Sequence, residues 1–403
     1  MLGPGESERL QSLEWRGRAD ELVSASISTM DGDRSVLSRR EDGACVFLGA
    51  ANQCRIHEHF GAEAKPLMCR LFPFGFFPVG ERVAVDVSFA CRSISEGSGA
   101  TLKLRTPEWA KLASNTKLGA NTGTRGGETK HRFSKRYDVV GTLLWELEHH
   151  LVQLLSNREL TLLERIQAIS EFVRLATTSD PATEAARKLR QVMASGVVDL
   201  VKARRGEALE PLDKTQRAIF FHLLFVLVNP TPIELRAASG KARQREIKRR
   251  VLAADGYRFD KAAPWLDNRE LSVSYETIAA VSAAWLADGE GAELAARYLE
   301  AKIIGQRFMR DGEVELPFLE AVPRLLLMFP MLVWTSKALA AEEGARKLTE
   351  AHVRRGLRLL DRSYGAVRLS ELPAKQRKAW QFVLMETDMP TCASAAMLSS
   401  AGT

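Results

Sequence analysis

Four cysteines lie close together in the N-terminal quarter of the sequence, and thiolates are soft ligands for metals. Cys45, Cys54, Cys69 and Cys91 are spaced C-x8-C-x14-C-x21-C. None of these spacings is the close C-x2-C pair of common zinc sites, so the prediction depends on the density of the thiols. The surrounding segment is turn-rich, and small irregular regions usually need an added staple. The pattern predicts that these four residues bind zinc or an iron–sulfur cluster.

An arginine directly follows three of these cysteines, at Arg55, Arg70 and Arg92. A metal held by four thiolates carries excess negative charge, and neighbouring cations offset it. His57 and His59 are further candidate ligands because imidazole also suits zinc. The alternative is that the cysteines are ordinary buried side chains. Cys392, in the small polar C-terminal segment, is predicted to be a free thiol without a role.

The composition is typical of a globular protein, with 45% hydrophobic and 27% charged residues. A net charge of +7 spread over 403 residues permits an acidic partner without requiring one. No signal peptide is expected at the acidic, polar N-terminus, so a cytoplasmic location with reduced thiols is predicted. The apolar runs 219–228 and 325–334 are shorter than a membrane span needs, and both are predicted to be buried core helices. No membrane association is predicted.

The predicted fold class is mainly α, with a small irregular α+β cysteine-rich N-terminal region followed by a multi-helix domain. Four parts are predicted: a metal-binding region (1–96), a flexible linker (97–134), a helical domain (135–388) and a disordered tail (389–403). A hairpin is predicted from Phe74–Val79 and 82–89, because the second segment alternates apolar and polar residues. Apolar spacing predicts helices over 138–155, 160–176, 183–201, 212–228, 232–253, 275–285, 292–307, 318–341, 349–360 and 369–386.

Other chemical motifs are weak. The G-x-G-x-x-G turn that commonly holds a nucleotide-type cofactor is absent. Glu146 and His149 have the spacing of half a di-iron motif, but the second half is missing, so a polar helix face is favoured. The basic stretch 241–250 is interpreted as a solvated helix face, and nucleic-acid binding is not favoured. No catalytic or cofactor-binding residue is predicted.

The motif around the cysteines resembles a known family. Cys45-Val46-Phe47-Leu48, then Cys54-Arg55-Ile56-His57, then Pro66 ahead of Cys69-Arg70-Leu71-Phe72-Pro73-Phe74 carry the likeness. These pieces resemble the zinc- or iron-chelating cysteine-cluster family, and within it the flagellin lysine-N-methylase branch. Weaker similarity continues through 155–168 and 329–334.

The resemblance implies a metal or iron–sulfur site, S-adenosylmethionine as a further cofactor, and methyl transfer to lysines of a flagellin-like protein partner. Family members usually carry another cysteine group ahead of a segment like 2–15. Met1 falls where that group would already have passed, so the resemblance implies that those ligands are lost or that the start codon lies upstream.

Three functional hypotheses follow from the sequence. The first is a cysteine-cluster protein related to the lysine methylases, and the second is a non-enzymatic protein with a structural metal and a helical partner-binding scaffold. The third is an iron–sulfur electron carrier or redox sensor. The oligomeric state is left open.

Overall fold

The chain divides into two compact units in a computed structural model. The first unit contains Met1–Phe72 and Thr231–Arg249, and the second contains Pro73–Pro230 and Arg250–Thr403. The structure describes residues 2–23, 26–31, 34–41, 44–51, 53–79, 82–98, 130–178, 185–229, 263–311, 314–363 and 388–399, with the single positions 245, 378 and 381. Apart from those single positions, the predicted helices 232–253 and 369–386 and the basic stretch lie outside the described residues. So does the linker from 99 to 129.

The first unit has short elements around a small apolar core. Its elements are α1 (Glu6–Gln11), α2 (Arg55–Phe60), α3 (Leu67–Leu71), the antiparallel strands β1 (Ser28–Asp31) and β2 (Arg34–Leu37), and 3-10 turns at Asp20–Leu22 and Ala62–Ala64. The buried core is formed by Leu10, Trp15, Ala19, Leu22, Ile27, Phe47 and Ile56. The Trp15 ring stacks on Phe47 at 5.4 Å and meets Phe60 edge-on at 4.9 Å. A core this small provides limited stabilisation.

The second unit is built mainly from helices. Its helices are α4 (Arg92–Glu96), α5 (Gly141–Leu155), α6 (Leu162–Thr178), α7 (Ala185–Met193), α8 (Val197–Ala203), α9 (Lys214–Val228), α10 (Tyr275–Ala280), α11 (Ala284–Ala287), α12 (Gly289–Ile304), α13 (Phe318–Leu326), α14 (Met328–Glu342), α15 (Glu350–Ser363) and α16 (Met389–Leu398). Its strands are β3 (Phe74–Val79), β4 (Arg82–Val87), β5 (Lys130–Arg132), β6 (Asp138–Val140), β7 (Trp265–Leu266), β8 (Arg269–Glu270), β9 (Arg310–Asp311) and β10 (Val314–Glu315). Within the described ranges, every sheet is a two-stranded antiparallel pair. The predicted mainly α fold class is confirmed.

Local sequence patterns predicted the positions of several elements in the chain accurately. Strands β3 and β4 pair in register from Phe74–Val87 to Val79–Arg82, as the predicted hairpin requires. Helix α5 buries the apolar face that its spacing predicts, including Leu143, Leu147 and Leu151. Period-2 and period-3.6 patterns of apolar residues therefore predicted these elements from local sequence.

Two long predicted helices are interrupted. Gly196, with φ of 70°, separates α7 from α8, because a left-handed residue ends one helix and glycine adopts that conformation without strain. The segment predicted as one helix over 318–341 forms α13 and α14. Phe318–Glu342 is long and apolar enough to cross a membrane, but 94% of its most apolar window is buried inside the protein. This burial agrees with the prediction that the apolar run 325–334 belongs to a buried core helix.

The predicted domain limits differ from the structure at three places. The unit boundary falls after Phe72 rather than at residue 96, because the β3–β4 hairpin packs with the helical unit through Val87 and Phe74. The linker prediction ends too late, since Lys130–Arg132 pairs with β6 as a strand. The third difference is the tail predicted to be disordered over 389–403.

Residues 389–398 form helix α16, so the prediction of disorder is wrong for them. Met389 and Ala393 are fully buried. Lys337 of α14 fixes the end of α16, since its Nζ donates to Ser399 O at 2.9 Å and to Ala279 O at 3.2 Å. Burial lowers the pKa of Lys337 to about 8.

Helix α9 begins with a capping box, which allows a test of the local sequence signal. The Asp213 carboxylate accepts from Thr215 N at 2.6 Å and Gln216 N at 2.8 Å, and Gln216 Oε1 accepts from Asp213 N. Asp213→Ala is expected to lower the free energy of unfolding by about 1 kcal/mol in urea denaturation. Asp199→Ala is the control, because Asp199 lies in the first turn of α8 without a cap bond. An equal loss in both variants would contradict the capping role.

Candidate metal-thiolate site

Two of the predicted ligands lie on a tight loop of the first unit. Cys45 forms an isolated antiparallel bridge with Arg39, and Cys54 forms one with Leu48. Leu48 N donates to Cys45 O at 2.9 Å, which turns the chain back toward Cys54. Both cysteines pack against the small apolar core at its edge. The loop therefore places two half-buried thiols on one side of that core.

Cys69 joins these two thiols from helix α3. Burial raises the pKa of Cys69, and the charges of Cys45 and then Cys54 raise it further. Burial also raises the pKa of Cys45, against a backbone hydrogen bond from Phe47 that lowers it, and the charge of Cys54 adds to the rise. Neighbouring thiols therefore disfavour the ionisation of Cys45 and of Cys69, and we call Cys45, Cys54 and Cys69 the thiol cluster.

The arginines that follow the cysteines pair with glutamates. Arg55 Nη2 lies 2.9 Å from Glu21 Oε1, and Arg70 Nη2 lies 2.7 Å from Glu63 Oε2. In the second unit Arg92 Nε donates to Glu96 Oε1 at 2.6 Å. Each of the three arginines is therefore paired with a carboxylate, and the prediction that they offset the charge of a metal-thiolate site stays a prediction.

Other cations act on the thiols instead. Arg39 and Arg40 lower the pKa of Cys45, and Lys65 lowers that of Cys69. None of these three cations directly follows a cysteine in the chain, so adjacency in sequence does not identify them. Arg39 could have been found from strand pairing, since it sits opposite Cys45.

The two candidate histidines lie on α2. The side chain of His57 is exposed, while His59 is partly buried with its Nε2 atom 3.9 Å from Glu58 Oε2. His59 Nε2 is buried without a hydrogen-bond partner. Among the residues that the structure describes, no three histidine, cysteine, aspartate or glutamate side chains stand in an arrangement that could hold a metal ion. The clustered thiols would have to move closer together to bind one.

Cys91 belongs to the second unit, where it precedes helix α4. Its backbone N donates to Ser88 O at 3.2 Å. Asp361 of α15 fixes this turn, because its Oδ2 accepts from Phe89 N at 2.6 Å and from Ser88 Oγ at 2.9 Å. The inclusion of Cys91 in a set of four ligands stays a prediction.

Cys392 lies on α16 and is buried in the second unit. All five cysteines are free thiols. The chain matches no family model, no curated protein and no solved structure. The fold of each unit and the thiol cluster are therefore the basis for a functional proposal, together with the resemblance of the cysteine motif.

Proposed function

We propose that this chain is a metal-binding cysteine-cluster protein whose first unit binds zinc or an iron–sulfur centre through Cys45, Cys54 and Cys69. The observation that carries the proposal is the cluster of three half-buried thiols, two of which have raised pKa values. Thiolates suit both kinds of centre. Metal binding would tie the loop 45–54 to helix α3 and thereby stabilise a unit with a small core. Free thiols also agree with the proposed cytoplasmic location.

Raised pKa values make metal binding depend on pH. A metal displaces the proton from each thiol that it binds, so protonated thiols compete with the metal. The apparent affinity is therefore expected to increase between about pH 6 and pH 8, with release of protons. Zinc titration by calorimetry in buffers of different ionisation enthalpy measures both quantities. Binding that does not change with pH and releases no protons would contradict thiolate ligation.

Replacing two ligands tests the site directly. Cys54→Ser with Cys69→Ser is expected to abolish near-stoichiometric metal in protein purified without oxygen. Cys392→Ser is the matched control, since it removes one thiol from the second unit and should leave the metal content unchanged. Elemental analysis and an absorption spectrum distinguish colourless zinc from a brown iron–sulfur centre. Equal metal content in both variants would overturn the proposal.

The resemblance extends the proposal to an enzyme that transfers a methyl group from S-adenosylmethionine to lysines of a flagellin-like protein. Calorimetric titration of the metal-loaded protein with S-adenosylmethionine tests this extension separately. Saturable binding would support it. Absence of binding to a protein that holds its metal would leave the non-enzymatic alternative, in which the metal is structural and the helical unit binds a protein partner.

A further inference from the structure

Three guanidinium groups from two helices of the second unit converge on Ser95, near the end of helix α4. Arg297 projects from α12, and its Nη2 lies 3.4 Å from Ser95 O. Arg354 of α15 donates to the same carbonyl through Nη1. One turn further along α15, Arg358 Nη1 lies 3.4 Å from Ser95 Oγ. Residues 202 to 263 positions away from Ser95 therefore bring positive charge to one point.

Glutamates balance only part of this charge. Arg92, Arg354 and Arg355 pair with Glu96, Glu350 and Glu343, respectively. Within the described part of the chain, Arg297 and Arg358 have no carboxylate oxygen within 4.0 Å. Five arginines against three glutamates leave a local surplus of two positive charges.

Capping of helix α4 does not account for this surplus. The end of a helix carries about half a negative charge, and Ser95 presents a single carbonyl group to two guanidiniums. Burial and the charge of Arg354 lower the pKa of Arg297. Burial also lowers the pKa of Arg358, where Glu96 opposes the effect and Arg92, Arg355 and Arg354 add to it. The arginines thus repel one another in an arrangement that an anion would stabilise.

We propose that Arg297, Arg354 and Arg358 form a binding site for a tetrahedral oxyanion with two negative charges, of the phosphate type. Guanidinium groups present paired N–H donors that match phosphate oxygens. The surplus of two positive charges matches a dianion. Arg297 is exposed and the other two are partly buried, so the site can be reached from solvent.

Gly97 allows Arg297 to occupy this position. Its φ of +67° is favourable for glycine, and a Cβ atom there would lie 2.7 Å from Arg297 Nη1. Gly97→Ala therefore displaces the Arg297 guanidinium without changing the charge of the protein. This variant separates a site built by geometry from simple attraction by net charge.

Inorganic phosphate and sulfate are the probes, titrated by calorimetry into the full chain at constant ionic strength maintained with chloride. Both anions are expected to bind with saturation. Arg297→Gln, Arg358→Gln and Gly97→Ala should each weaken phosphate binding about tenfold or more. Arg205→Gln is the matched control, because Arg205 pairs with Glu164 at 2.5 Å on the same unit and should leave the affinity unchanged.

The charge of the ligand is tested by pH. At about pH 5 phosphate is mostly a monoanion whereas sulfate remains a dianion, so phosphate affinity should fall much more than sulfate affinity. Circular dichroism and thermal melting of each variant show whether it is folded. The proposal is overturned if neither anion binds the folded wild-type chain. It is also overturned if the three site variants, correctly folded, bind phosphate as tightly as the Arg205→Gln control.

Discussion

Replacing Lys302 by methionine is expected to lower the free energy of unfolding at pH 7 by about 3–5 kcal/mol. Lys302 is 1% exposed, and its Nζ lies 2.8 Å from Asp361 Oδ1, 3.1 Å from Asp86 Oδ1 and 2.8 Å from Val87 O. Its Nζ also lies 5.9 Å from the centre of the Phe89 ring and 5.6 Å from the centre of the Tyr298 ring. Its removal leaves two carboxylates buried together without the cation that joins them. Denaturation in urea measures the loss.

The loss of unfolding free energy in Lys302→Met should depend on pH. Burial raises the pKa of Asp86, and Lys302 is the largest influence that lowers it. Without Lys302, burial and the charge of Asp361 keep the proton on Asp86 in the folded state at a higher pH than in the unfolded state. The variant therefore loses stability as pH rises from the acid range, and the difference from wild type should be smaller near pH 4.

A surface lysine provides the control for this prediction. Lys202 pairs with Glu159 at 2.5 Å, with both side chains substantially exposed. Lys202→Met should change the free energy of unfolding by less than about 1 kcal/mol. Adding Asp86→Asn to Lys302→Met should recover part of the loss, because one buried carboxylate is then neutral. An equal effect of the two lysine substitutions would show that the buried triad has no special importance.

The second large effect on stability is expected at Glu148 of helix α5, where it depends on pH. Burial raises the pKa of Glu148 to about 8, although a hydrogen bond with Gln306 opposes the rise. Below about pH 4.5 the carboxyl is neutral in both the folded and unfolded states. Between about pH 4.5 and 8 the unfolded state ionises while the folded state keeps its proton. The wild-type protein therefore loses up to about 1.4 kcal/mol of stability for each pH unit in this window.

Glu148→Gln removes this titration and keeps the shape of the side chain. The variant should be more stable than wild type by a few kcal/mol at pH 8, and the advantage should vanish near pH 4. Thermal or urea unfolding at a series of pH values measures the difference. A constant difference at all pH values would contradict the assigned protonation.

Glu146 on the same helix serves as a control of opposite sign. Its carboxylate accepts from Arg190 Nε at 2.6 Å, and this hydrogen bond lowers the pKa of Glu146. At pH values above the pKa that Glu146 has in the unfolded state, the pair stabilises the folded state. This contribution is lost as the pH falls. Glu146→Gln should therefore cause a small loss at pH 8 and no change in the acid range. His149 on the same helix is exposed, and its place with Glu146 on a polar helix face stays a prediction.

The sequence was informative wherever a structure depends on near neighbours. The hairpin of β3 and β4 followed from alternating residues, and helix α5 followed from its leucine spacing. The capping box at Asp213 lies at the start of α9, close to the predicted start of that helix. Breaks within long apolar segments were harder to predict. A helix pattern does not show that Gly196 adopts a left-handed conformation, because glycine is also tolerated within helices.

For the candidate site, too, the sequence identified some residues but not the partners of others. The density of cysteines identified Cys45, Cys54 and Cys69, and the fold brings these three thiols into one cluster. The arginines next to the cysteines were predicted, from adjacency alone, to offset the charge of metal-bound thiolates. In the structure Arg55 and Arg70 pair with glutamates, because the direction of a side chain depends on its local backbone and on packing.

By itself, the sequence determined the fold class and several of the helices, since these depend on composition and short-range periodicity, while its candidate metal ligands stay a prediction. Only the tertiary structure showed that the tail helix is buried, that Lys302 joins Asp86 to Asp361, and that three arginines meet at Ser95. Each of these features brings together residues that are far apart in the chain. Their charges and contacts become visible only when packing has placed them side by side, and no local pattern encodes that placement.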